Sequence, residues 1–274
     1  MHRCLPTLLQ HVFSSLICVL LICCVLLSPS SRAATEDLKI PNLGESSTSL
    51  FSADYEYQLG RMWLRSFRGQ APLLNDPLMH SFLENLVFEL VQHSELQDRR
   101  IELVIVDNPT INAFAVPGGV IGIHSGLFQY AETEDEFATV MAHEIAHLSQ
   151  RHFSRRIELA QEQGPMQLAG LLAGVLLAAT VGTDAGLAAM TTAQGIAKDA
   201  QLRYSRANEA EADRVGLRTL YNAGMDPYAA PQMFERMYAA TRYSQGNRIP
   251  EFLRTHPLSE KRIADTRARA MQYP

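Results

Sequence analysis

The residues of this chain best placed for chemistry lie in one stretch, Val140-Met141-Ala142-His143-Glu144-Ile145-Ala146-His147-Leu148. In a helix, His143 and His147 stand one turn apart on the same face, because residues four apart are neighbours there. Two imidazoles so placed can grip one metal ion, and Glu144 projects beside the same spot. This is the H-E-x-x-H pattern, in which the histidines bind zinc and the glutamate is the general base of a metalloprotease. Two core histidines bonded to backbone would show the same spacing, so the surroundings have to decide.

The surroundings specify a helix. Thr133-Glu134-Asp135-Glu136 reads as a capping box, with Thr133 placed to satisfy the amide three residues on and Glu136 to reach back. The three consecutive acids suit the positive end of the helix dipole. Phe137, Val140, Met141, Ala142, Ile145 and Leu148 recur at helical spacing, and Arg151 and His152 read as the basic residues that close the run. The histidine pair therefore falls in the middle of a mostly buried helix.

A zinc site needs a third protein ligand, with one position left for water. Asn208-Glu209-Ala210-Glu211-Ala212-Asp213 supplies the candidates. Glu209 and Asp213 are four apart and share a helical face, while Glu211 points elsewhere. Glu209 would ligate, and Asp213 would accept from the free N–H of a ligand histidine. The same spacing also fits a solvated acidic helix start.

His143-Glu144-x-x-His147, followed by Ser205-Arg206-x-x-Glu209-x-Glu211-Ala212-Asp213, resembles the gluzincin metallopeptidases related to HtpX and the CAAX prenyl proteases, in particular their soluble periplasmic branch. The resemblance runs from about Phe51 to the C-terminus. It implies an α+β, mostly helical fold of the zincin metalloprotease type, with a small β-sheet beside the active-site helix. It also implies one zinc ion per chain on His143, His147 and Glu209, Asp213 in support, and Glu144 as the catalytic base. Asn112-Ala113-Phe114 and Gly118-Gly119 match positions on the strand that borders the cleft, where an edge strand would bind an extended peptide through its main chain. Phe114 and Val116 as plain core is the competing reading.

Arg254-Thr255-His256-Pro257 matches a further site in the family. A residue before proline is pushed out of helical geometry, so His256 is presented from a loop or turn. By resemblance, His256 either contacts the zinc as an extra ligand that shuts the site or helps to stabilise the transition state. An ordinary loop histidine is the remaining reading. Arg262, one helical turn on, would be its neighbour.

The elements that position these residues follow in chain order. Phe51 to Arg68 reads as an amphipathic helix, and Asn75-Asp76-Pro77 opens a second one to about His93. Arg100–Asp107, Ile111–Val116 and Val120–His124 read as strands, with Pro117-Gly118-Gly119 as a turn. Residues 164–200 form an insert that is apolar nearly all round, which calls for burial in a core or in lipid. A helical hairpin packed on or over the cleft is the expectation, and a peripheral membrane contact is the competitor. After Gly224, Asp226-Pro227 starts another helix, and Ser259 caps a terminal one.

Met1 to about Ala33 differs from the rest. Arg3 and two histidines precede the apolar run Val12 to Leu27, and Ser31-Arg32-Ala33 offers a small-x-small cleavage site. That is the anatomy of a secretory signal peptide, with a retained membrane anchor as the alternative. All four cysteines lie inside this leader, so the mature chain would have no thiol. Cleavage after Ala33 removes two of the 24 basic residues and none of the 29 acids, which takes the net charge from −5 to −7 and offers no nucleic-acid face. Residues 34–50 read as a flexible start and 51–274 as the zinc metallopeptidase domain. No 34-residue repeat is legible, so partner binding through such repeats is not expected.

The function expected is that of a zinc metalloendopeptidase in the periplasm, cleaving unfolded or misassembled envelope and outer-membrane proteins. The alternative is a chaperone-like binding module with a self-inhibited metal site.

Overall fold

Two helices open the described part of the chain, and each start is set by a cap. Ser52 accepts from the Tyr55 amide (3.2 Å) to begin α1, Ala53–Arg68. Asp76 accepts from the amides of Leu78 and Met79 to begin α2, Pro77–Gln92. The computed structural model describes residues 52–181, 206–242 and 250–274. The proposed leader, the 34–50 segment and the second limb of the insert lie outside the described residues.

Three strands follow, β1 (Glu102–Val106), β2 (Ala113–Val116) and β3 (Val120–His124), in the order β1–β3–β2. β1 runs parallel to β3, and β2 antiparallel to it, so β2 is an edge of this sheet. Gly118 and Gly119 make the β2–β3 turn with φ of 79° and 76°, a left-handed conformation that glycine enters without penalty. Every position of β3 is buried. A Cβ on Gly122 would lie 2.1 Å from the Phe114 ring, so this ring lies directly over the β3 backbone. Phe114 also meets Trp63 and Phe67 edge-on, at 5.8 and 5.6 Å between centroids, which commits its side chain to packing.

The short helix α3 (Gly126–Tyr130) leads into α4, Glu134–Ser149, which is buried without a break from Glu136 to His147. Thr133 accepts from the Glu136 amide at 3.2 Å as a capping box requires. Glu136, however, reaches back to the Glu132 amide (2.7 Å) instead of that of Thr133, and its carboxylate also pairs with Arg236. Nor does the helix run on to His152. Gln150 caps it, Arg151 turns the chain with φ 52°, and His152 begins α5, His152–Gln163.

The first limb of the insert is α6, Pro165–Thr180. Leu171 packs with Phe153 and Ile157 beside Tyr55 and Leu59, and Ala179 joins Trp63, Leu64 and Phe67. This limb thus covers α1 and α5. Among the described residues no helix is long and apolar enough to cross a membrane.

Four helices complete the chain: α7 (Arg206–Asn222), α8 (Ala229–Arg242), α9 (Glu251–Thr255) and α10 (Glu260–Ala270). α8 turns Ala229, Met233 and Met237 inward as core. α7 crosses α4 very closely, where Ala146 meets Ala212 and Val215. A Cβ on Gly216 would lie 3.1 Å from the Ala142 carbonyl oxygen and 3.2 Å from the His143 nitrogen. The fold is α+β and mostly helical, as expected, and this crossing places the acids of α7 opposite the histidines of α4.

Gly216→Val should therefore push α7 off α4. Overpacking of this kind costs about 1–3 kcal/mol. Urea denaturation of the variant should show that loss together with weaker metal binding, and an unchanged midpoint would show that the close crossing is not required.

Candidate metal centre

Four side chains from three helical segments converge in the core. His143 and His147 come from α4, Glu209 from the first turn of α7, and His256 from the C-cap of α9. One donor atom from each lies within 4.8 Å of all the others, and each residue is about 2% exposed. His143 Nε2 is 3.0 Å from His147 Nε2 and 3.4 Å from His256 Nδ1. Glu209 Oε1 is 3.1 Å from His256 Nδ1 and 3.5 Å from His147 Nε2, and Glu209 Oε2 is 3.6 Å from His143 Nε2.

These distances test whether a metal fits. A tetrahedral zinc ion with bonds of about 2.0–2.1 Å holds its donors about 3.3–3.4 Å apart. Five of the six donor pairs stand 3.0 to 3.6 Å apart, taking the nearer Glu209 oxygen, and so bracket that edge, within an overall spread of 4.8 Å. The donor set, imidazole and carboxylate, suits zinc and other borderline divalent ions.

A surrounding layer of charge holds the donors in place. Asp213, one turn beyond Glu209 on α7, puts Oδ1 3.2 Å from His143 Nδ1. Arg262 on α10 donates from Nε and Nη2 to the two Asp213 oxygens (2.8 and 2.7 Å) and from Nη1 to the Pro257 carbonyl (2.8 Å). The same Nη1 lies 2.8 Å from Glu209 Oε2. Arg262 is thus more than a neighbour of His256: it clamps both acids of α7. Burial raises the Glu209 carboxyl, but His256 and His143 outweigh it and hold the group well below the usual carboxylate range. Burial lowers His147, helped by His143.

Glu144 sits apart from the donors but faces them. It is fully buried, and neither carboxylate oxygen has a formed hydrogen bond. Burial raises its pKa above the ordinary value, opposed by His256, by His143 and by the backbone amide of Ala115. His256 Nε2 stands 3.5 Å from Glu144 Oε1. The His256 ring, stacked on Phe252 at 4.6 Å, therefore fills the space between the donor cluster and Glu144.

Strand β2 borders this cluster, but its residues divide by parity. The His124 amide donates to the Asn112 carbonyl at 3.0 Å, which makes that pair a hydrogen-bonded one. Alternation then turns Phe114 and Val116 toward β3, and the N–H and C=O of Ala113 and Ala115 toward the open edge. Of the expected substrate strand, Asn112 and Phe114 spend their backbone groups inside the sheet, and Ala113 faces outward. Ala115, not singled out from the sequence, joins it. The Asn112 side chain is buried and lies 3.4 Å from the His124 ring.

The sequence reading also passed over His152. Its ring is fully buried, with Nδ1 2.9 Å from His147 Nδ1 and Nε2 3.1 Å from Glu211 Oε2. Nothing in the spacing signalled this, because His152 follows a chain reversal at Arg151 that the pattern does not reveal.

A buried His-His-Glu-His cluster on a mostly helical α+β frame, beside the edge of a small sheet, defines a metalloprotease domain of the zincin type. Residues 77–270 match the model of Peptidase family M48, and the chain belongs to that family. It is 40% identical over 233 residues to the beta-barrel assembly-enhancing protease of Escherichia coli strain K12, covering 85% of this chain and 47% of that protein. It is 39% identical over 256 residues to the putative beta-barrel assembly-enhancing protease of Vibrio cholerae, covering 93% and 52%. The mitochondrial metalloendopeptidase OMA1 of Schizosaccharomyces pombe is 32% identical over 182 residues, covering 66% and 50%. The chain spans about half the length of these curated relatives.

Proton balance gives a direct test of the centre. Burial draws the His143 pKa down, but Asp213 and Glu209 outweigh it and push it up to about 9. A raised value means that His143 carries a proton at neutral pH, which an arriving metal must displace. Metal binding should therefore release protons at pH 7.5, and affinity should climb with pH toward about 9. Calorimetric zinc titration in buffers of different ionisation enthalpy measures this, and binding without proton release would contradict the arrangement.

Proposed function

We propose that the chain is a zinc-dependent endopeptidase of the bacterial cell envelope, exported by the leader at residues 1–33, that cleaves unfolded or misassembled polypeptides. The observation that carries the proposal is the convergence of His143, His147 and Glu209 next to a fully buried Glu144. Its similarity to a beta-barrel assembly-enhancing protease and to a mitochondrial metalloendopeptidase supports proteolysis, and the first of these supports a role in envelope protein quality control.

His143, His147 and Glu209 would hold the zinc, with Asp213 orienting His143. When bound, zinc polarises the scissile carbonyl and acidifies a water. An extended substrate pairs with the outward backbone groups of Ala113 and Ala115, which gives affinity with little demand on side chains. Glu144, with its pKa raised by burial, accepts the proton of the attacking water and delivers it to the leaving amine. A cavity of about 300 Å³ lies between the β2–β3 turn and the end of α4, bordered by Gly118, His147 and Arg151.

His256 governs access. Its Nδ1 stands where a fourth ligand would stand, and its ring fills the space that water needs between the donors and Glu144. The resting arrangement is therefore shut, and the ring has to leave before cleavage. The same observation favours the second reading, a chaperone-like binding module whose metal site is self-inhibited.

Glu144→Gln should keep zinc and fold but lose peptidase activity by about 10²–10⁴, the usual effect of removing a general base. Casein cleavage at matched zinc content separates the two readings: loss in the variant supports the enzyme, and absence of cleavage by the wild type supports the binding module. His256→Ala should retain zinc on three ligands and raise steady-state cleavage of an unfolded substrate. A lower rate would instead assign His256 to transition-state stabilisation, and an unchanged one would make it a loop residue.

A further inference from the structure

We propose that His152 and Glu211 form a hydrogen-bonded relay that fixes His147 in the tautomer whose Nε2 lone pair faces the donor cluster. The inference rests on the reading of that cluster as a metal centre. Three buried or half-buried groups stand in line: Glu211 Oε2 is 3.1 Å from His152 Nε2, and His152 Nδ1 is 2.9 Å from His147 Nδ1. His152 is fully buried, so bulk water does not substitute for these contacts.

For a neutral His152, the carboxylate fixes the donor and acceptor roles along this line. An ionised carboxylate only accepts, so His152 must carry its proton on Nε2 and donate it to Glu211. In the neutral ring Nδ1 is then a lone pair, and it accepts. The only hydrogen that can fill the 2.9 Å gap is one on His147 Nδ1. That leaves His147 Nε2 unprotonated, 3.0 Å from His143 Nε2 and 3.5 Å from Glu209 Oε1, where a metal ligand is required. On His143, Nδ1 lies 3.2 Å from Asp213 Oδ1. Metal-binding histidines commonly give their second N–H to such a partner.

The backbone shows what it takes to deliver His152. Arg151 adopts φ 52°, a left-handed conformation uncommon outside glycine, and is held there by a bond from its Nε to Glu56 at 3.0 Å. This reversal ends α4 and swings the first residue of α5 back onto the ring of His147. At the outer end of the relay, Arg155 and Arg214 lie 3.7 and 3.6 Å from Glu211 and keep it ionised. His152 and Glu211 act through His147, so they are positioning residues.

Competitive zinc titration of the full-length chain tests the relay. His152→Asn keeps an acceptor oxygen close to the former Nδ1, whereas His152→Leu keeps volume without an acceptor. The leucine variant should bind zinc about 10- to 100-fold more weakly, the usual cost of losing such a partner. The asparagine variant should stay within a few-fold of the wild type. Wild-type affinity in the leucine variant, or equal losses in both, overturns the relay, since packing alone would favour leucine over asparagine. Glu209→Ala serves as the reference: if it also binds like the wild type, the metal-centre reading falls and the relay falls with it. Should the leucine variant fail to fold, nitrogen NMR of histidine-labelled, metal-depleted wild type decides. A proton on His147 Nδ1 supports the relay, and one on Nε2 overturns it.

Discussion

The fold depends on one buried electrostatic constraint, the contact of the Arg262 guanidinium with Asp213 and Glu209. Two carboxylates on adjacent turns of α7 are almost without solvent exposure. Taking such groups out of water is costly unless they are paired and hydrogen-bonded. Breaking a buried pair of this kind costs about 3–5 kcal/mol, because the remaining charge stays buried without compensation. Arg262 has to arrive from α10, and its bond to the Pro257 carbonyl also ties down the loop that carries His256. The C-terminal helices are therefore part of the centre. So is Gly216, since without the close crossing of α4 and α7 the acids would not reach His143.

The same geometry supports the proposal that the site is closed at rest by His256. The donor cluster, His256 and Glu144 occupy one continuous buried space, and the His256 ring is stacked on Phe252 within it. Releasing that ring exposes polar atoms and gives up the stacking contact, so the open form carries a free-energy cost. A substrate that favours the open form shifts the balance by the difference in its affinity for the two forms, and by no more. In the proposed function, pairing along the outward groups of Ala113 and Ala115 would supply that difference, because it engages the backbone of any extended chain.

Much of this was legible in the sequence where the signal is local. The caps at Asp76, Thr133 and Ser259, the helix around His143 and His147, and the phase that puts Glu209 with Asp213 follow from spacings of three and four residues. The Pro117-Gly118-Gly119 turn follows from backbone freedom at its glycines. Contacts made by chain reversal or by distant helices were not legible. His152 read as the basic end of α4, although it begins the next helix and returns to His147. Glu211 pointed away from Glu209, as its phase requires, but nothing local named His152 as its partner. On β2, the family resemblance offered Asn112, Ala113 and Phe114 for the cleft, whereas the parity that turns Ala113 and Ala115 outward depends on register with β3. The first limb of the apolar insert gave its helical character but not the surface it covers, since an all-round apolar helix shows no preferred face.

X-ray absorption spectroscopy of the zinc-loaded chain bears most directly on the claim that His143, His147, Glu209 and His256 surround one metal ion. The arrangement predicts one zinc per chain, coordinated by four nitrogen or oxygen donors with outer-sphere scattering from three imidazoles. In His256→Ala, the imidazole scattering should fall to that of two rings. Fewer than two imidazoles in the wild type, or a count unaffected by removing His256, would contradict it.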